Sequence, residues 1–221
     1  MKFYAEATPE NVKDTYSEFD TIDIILTADP NMDYKANTFT LHGDLTVEQP
    51  EGTTVVDGVD VFFNHKIGVS AFIDSIQTEH AGGQLENLQE FGRLCSMVES
   101  GTKDKNDVHN SQDCAELKSA DDSFSNDFAK GSVTTNSGAK INAPYSFSVK
   151  PKFCLNKCIG NVSFQKAGYI KVSINMARVL TALYIKDITS AANTASPMNY
   201  FINNVKVSYE LEPTTNTPAT M

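Results

Sequence analysis

The chain contains no tryptophan, few cysteines, and no apolar run near the ~20 residues that a membrane helix needs. A helical membrane span is therefore not expected. Without tryptophan, 13 Phe and 8 Tyr are the aromatics left to fill a core, so large side chains must be spread over many elements. Positive charge is also scarce: 18 Lys and Arg stand against 28 Asp and Glu, for a net charge of −10. Nucleic-acid binding draws mainly on the neutralisation of phosphates. The cations Lys150, Lys152, Lys157, Lys166, Lys171 and Arg178 are interleaved with strand residues instead of clustered. Contact with nucleic acid is not expected, and the acidic surface favours solubility.

The four cysteines are Cys95, Cys114, Cys154 and Cys158. They could form two disulfides or one metal site, but Cys154 and Cys158 lack the two-residue spacing of zinc knuckles. Free thiols in a reducing compartment, with Cys95 in a helix core, is the reading preferred here. Chemistry-bearing motifs are missing as well. There is no G-x-S-x-G elbow, no P-loop, no G-x-G-x-x-G and no H-E-x-x-H. An enzyme is not expected, and neither a cofactor, a metal nor a small-molecule substrate is assigned.

What the chain does have is alternation. Thr21 to Ala28 reads as a first strand, and Asn37 to Val47 places Phe39, Leu41, Leu45 and Val47 on one face. Val59 to Phe63, Tyr145 to Val149, Phe153 to Leu155, Tyr169 to Ile174, Leu180 to Ile185 and Asn199 to Leu211 read as further strands. The Gly68–Thr102 stretch is the exception. It begins as a strand, breaks at Ala81-Gly82-Gly83, and continues with Leu85, Leu88, Phe91, Leu94, Cys95 and Val98 at helical spacing. Glu86 and Glu90 would then lie four apart on the solvent face of that helix.

Residues 1–19 read as an N-terminal arm, 20–212 as one domain, and 213–221 as a flexible tail. The polar stretch 101–138 is an insertion rich in charge and poor in aliphatics. Within it, Phe124 and Phe128 form either one helical turn that docks on a neighbour or part of a solvent loop. About eight strands and one short helix near residues 80–100 give an all-β fold: a single eight-stranded antiparallel jelly-roll sandwich.

Three segments carry a resemblance. Gly68-Val69-Ser70-Ala71-Phe72-Ile73 leads to Gly83-Gln84-Leu85-Glu86 and then to Phe91-Gly92-Arg93-Leu94. Tyr169 to Asn175 and Tyr200 to Glu210 follow in the same order near the C-terminus. Over roughly Phe62 to Glu212 the chain resembles the jelly-roll capsid proteins of viruses allied to virophages and the polinton group. Ser70 departs from that pattern, where a histidine is frequent. Major capsid proteins of the group carry two jelly rolls, and this chain has length for one. The resemblance therefore implies a minor capsid, or penton, subunit made in the host cytoplasm and located in the virion. Its implied partners are itself, as a homopentamer at the icosahedral vertices, and trimers of the major capsid protein. The candidate assembly residues are Leu85, Leu88, Phe91, Arg93, Phe124 and Phe128. A second reading is a glycan- or receptor-binding β-sandwich, spike or lectin-like, using exposed Tyr or Phe and calcium.

Overall fold

A computed structural model describes residues 2–48, 59–64, 66–102, 115–118, 132–134, 140–142, 144–187 and 199–214. Two antiparallel sheets face each other. The first is built on β15 (Asn199–Pro213), with β1 (Phe3–Ala7) and β2 (Thr15–Tyr16) on one side. On its other side lie β4 (Met32–Tyr34) and β5 (Thr40–Glu48), flanked in turn by β12 (Val162–Ser163) and β11 (Tyr145–Val149). The second sheet runs β3 (Thr21–Leu26), β13 (Ile170–Met176), β7 (Ile73–His80) and β8 (Gly83–Leu88). Two short ribbons complete the strands: β6 (Val59–Phe63) pairs with β14 (Leu183–Asp187), and β9 (Ser132–Thr134) with β10 (Lys140–Asn142).

The pairings are nested. β7 pairs with β8, β5 with β11, β3 with β13 and β1 with β15, so the eight main strands form one long antiparallel hairpin. Two further pairings, β15 with β5 and β13 with β7, wrap that hairpin into two sheets. This is the jelly roll. The segment 1–19 supplies its first strand, which differs from a free arm: Phe3 to Ala7 align with Leu211 to Val207.

Strand alternation fills the core. Ile22, Ile24 and Leu26 of β3 and Ile170, Val172, Ile174 and Met176 of β13 point inward. From the other sheet come Leu41, Leu45 and Val47, with Phe147 and Val149. β15 contributes Tyr200 and Ile202, then Val205, Val207, Tyr209 and Leu211. Its parity changes because a bulge lies between Asn203 and Lys206, with Asn204 at φ 51°. The extra residue keeps the same face buried on both sides of it.

Both outer faces carry polar ladders across the strands. On the second sheet, Thr21 Oγ1 donates to Asn175 Oδ1 (2.6 Å), and Asn175 Nδ2 to Ser75 Oγ (2.8 Å). On the first, Ser146 and Asn204 both donate to Asp44, and His42 Nε2 lies 2.7 Å from Ser208 Oγ. Those two donors hold the Asp44 carboxyl below the usual range. Burial first, and the Lys206 ammonium second, hold the His42 imidazole below its ordinary 6.5, while Glu6 opposes them.

Gly68 to Phe72, expected as a strand, is instead a wholly buried 3-10 turn. Gly68 sits at φ +53°, and a Cβ there would meet the Glu116 carbonyl oxygen at 2.0 Å. That carbonyl accepts from Val69 N at 3.0 Å, so a residue far along the chain fixes the turn. The turn delivers Phe72 to a ring cluster, 4.8 Å from Tyr200 and 5.6 Å from Phe63 between centroids. The Tyr200 hydroxyl donates to the Ala177 carbonyl. Local sequence also misled at Phe153 to Leu155 and at Leu180, where one-turn helices, Cys154–Lys157 and Val179–Ala182, replace strand.

Phe72→Ala is expected to cost about 3–5 kcal/mol, the range for truncating a buried aromatic. Gly68→Ala should cost at least ~1–2 kcal/mol from backbone strain alone. Urea midpoints for both variants measure this. Stability should also fall on acidification. The depressed His42 contributes stability that is complete above pH ~6.5 and lost as pH drops through its folded value. Depressed Asp44 acts the same way below about pH 4. His42→Gln should flatten the upper part of that decline in melting temperature.

Candidate functional site

The β7–β8 hairpin and the helix after it form one edge of the sandwich. The hairpin turns at Ala81-Gly82, where Gly82 N donates to His80 Nδ1 (2.9 Å) and Ala81 N to the Ala167 carbonyl (3.1 Å). β8 is an edge strand of the second sheet. Its register against β7 slips between Thr78 and Glu79, and Leu85 is the residue left without a partner. The bulge turns Leu85 outward, and it is 49% exposed. Leu88, paired with Ile76, is half-buried against the core.

The helix α1 spans Phe91–Thr102 and begins at Glu90, which turns the chain at φ 49°. Leu85, Leu88 and Glu86 therefore lie on a strand, not on the helical stripe read from their spacing. Glu86 is half-buried, and its carboxylate accepts from Cys154 N at 2.7 Å, at the first turn of the Cys154–Lys157 helix. A negative charge there also suits the helix dipole.

The buried line of α1 is Phe91, Cys95 and Glu99, spaced by four. Gly92 lets the helix approach the 3-10 turn closely, since a Cβ there would lie 3.1 Å from the Ser70 carbonyl oxygen. Leu94, Met97 and Val98 face outward, with Met97 71% exposed. A charged residue thus occupies the inside while aliphatics occupy the outside. The reason is an ion-pair cluster. Glu99, 3% exposed, meets Lys118 Nζ at 3.5 Å and the Lys152 ammonium more closely still. Lys118 also pairs with Glu116 at 2.6 Å. Periodicity alone could not reveal this, because Lys118 and Lys152 come from distant segments.

Of the six candidate assembly residues, the structure brings Leu85 and Arg93 to the surface. Arg93 is exposed and makes an i,i+3 pair with Glu90 at 2.9 Å, an arrangement of little energetic weight. Phe91 is fully buried, so it acts through the core and is not available for contact. Phe124 and Phe128 lie outside the described residues. Sequence spacing missed Met97, which lies on the helix face opposite Phe91, Cys95 and Glu99.

Cys95, Cys154 and Cys158 are free thiols; Cys114 lies outside the described residues. Burial pushes the thiols of Cys95 and Cys154 up to about 11, which keeps both protonated and unreactive at neutral pH. Among the described residues, no group of His, Cys, Asp and Glu gathers in a metal-binding arrangement. No helix of the described residues is long and apolar enough to cross a membrane.

The fold is an antiparallel jelly roll. It is similar to a chain in the cryo-EM structure of the Sputnik virophage, with a TM-score of 0.53 at 11% identity over 99% of this chain. The present chain spans about half of that one, 49% of its length. The Faustovirus major capsid protein is also similar, at a TM-score of 0.48 and 9% identity, covering 97% of this chain and 55% of that one. At these identities the likeness is one of fold. No protein-family profile matches the sequence, and no curated protein matches it.

Glu99→Leu, which leaves two ammonium groups facing a vacated carboxylate site, is expected to cost about 3–5 kcal/mol. Adding Lys152→Met, which removes the ammonium nearest the vacated site, should return part of that loss. A double-mutant cycle in urea gives the coupling directly.

Proposed function

We propose that this protein is a structural, non-catalytic subunit of an icosahedral virion: a minor capsid, or penton, protein. The observation that carries the reading is the single jelly roll. Its nested strands superpose over nearly the whole chain on part of a virophage-particle chain twice as long.

A ring subunit makes heterologous contacts with two neighbours, and closure depends on the rotation between them. Polar side chains are hydrogen-bonded across the strands on both sheet faces, and the edge formed by β8 and α1 presents Leu85, Leu94 and Met97. That edge is the proposed contact between copies. Permanent interfaces of this kind bury on the order of 2,000 Å² or more.

Light scattering on purified protein should give five times the 24.2 kDa chain mass. Leu85→Asp with Met97→Asp should reduce this to the monomer without lowering the melting temperature, because both residues are exposed. A trimer would overturn the vertex reading. So would a monomer that fails to join particles of the co-expressed major capsid protein.

A further inference from the structure

A cleft of about 730 Å³ opens between the 17–20 turn, the start of β7, the start of α1 and the 176–181 link. Its size lies within the ~300–1,000 Å³ range of small-molecule sites. Phe19 forms one wall. It is held at φ 65° by a tight turn, in which Asp20 N donates to the Ser17 carbonyl and the Asp20 carboxylate accepts from Ser17 N. Its ring is nonetheless 65% exposed. The Arg178 guanidinium sits over this ring at 5.3 Å from the centroid. The loops carrying the two residues are tied together, since Val179 N donates to the Glu18 carboxylate at 3.0 Å.

The other polar groups of the cleft include Asn64, Asp74, Arg93 and Thr181. Charge is balanced, with Asp74 and Glu90 against Arg93 and Arg178. Glu90 and Arg93 are engaged with each other. Among the described residues, Asp74 and Arg178 form no ion pair, although both line the same cleft. So an acceptor and a planar donor both line a cleft that has an exposed aromatic ring in its wall. A phosphate or a polyanion would meet Asp74 and Glu90, and a simple apolar ligand would strand both charges. A pyranose fits both demands. Its C–H face packs on the negative face of an aromatic ring, and its neighbouring hydroxyls both donate to a carboxylate and accept from a guanidinium.

We propose that this cleft binds a neutral glycan, with Phe19 as the stacking platform and Asp74 and Arg178 as the hydroxyl-binding pair. The site needs only one copy of the chain, and so stands apart from the oligomeric state. A short sugar making these few contacts binds with a Kd on the order of 1 mM.

The test is saturation-transfer NMR and calorimetry on the full chain with lactose, cellobiose, mannobiose and N,N′-diacetylchitobiose. Saturable binding of at least one is expected. Phe19→Ala and Asp74→Asn should each weaken it at least tenfold, while Tyr4→Ala, at an exposed ring outside the cleft, leaves it unchanged. Melting temperatures of the variants confirm that they fold. Binding that survives both cleft substitutions overturns the assignment, as does the absence of saturable binding by all four sugars. If no sugar binds and Phe19→Ala instead weakens assembly, the cleft belongs to a subunit contact and the glycan proposal falls.

Discussion

Two long-range strand pairings carry the sandwich. β15 lies against β5, and β13 against β7, joining segments that are far apart in the chain. Without them the nested pairs would be a flat hairpin with one apolar face open to water. With them, Ile22, Val172 and Ile76 of one sheet are enclosed against Leu45, Val207 and Tyr200 of the other. Every other feature is placed by this closure. The polar ladders lie outside because the alternation puts the apolar set inside. The cost is kinetic: non-local pairing of this kind forms late, since loop-closure entropy must be met before contacts reward it.

How much of this was legible follows from where each signal lives. β3, β5, β13 and β15 alternate strongly over six residues or more, so their existence and facing could be read directly. β1 could not. Phe3 to Ala7 has a weak pattern and becomes a strand only because Val207 to Leu211 offer a free edge. The 3-10 turn at Gly68 to Phe72 was hidden for a similar reason. Its sequence suits a strand, and only the carbonyl of Glu116 makes a left-handed Gly68 the better fit. The bulge at Leu85 and the one at Asn203-Asn204 are equally silent locally, because each is a mismatch of register between two strands.

The candidate surface was half legible for a different physical reason. The apolar residues of α1 were visible in the sequence, but their sorting into inside and outside was not. Phe91 and Cys95 share a face with Glu99, while Leu94 and Val98 share one with Met97. On hydrophobicity alone a helix would turn Glu99 to water and bury Leu94. Lys118 and Lys152 reverse that choice by giving the carboxylate partners in the interior.

Buried ion pairs are poor sources of net stability, since desolvation offsets most of the attraction. Their effect here is directional. Once Glu99 is committed to two ammonium groups from other segments, α1 has one rotation about its axis, and Leu94 and Met97 must face outward. The cluster thus trades no obvious stability for a defined apolar edge, and the same rotation brings Arg93 and Ser96 to the cleft beneath Phe19 and Arg178. The buried line of Phe91, Cys95 and Glu99 sets the orientation on which both the proposed subunit contact and the proposed ligand site depend.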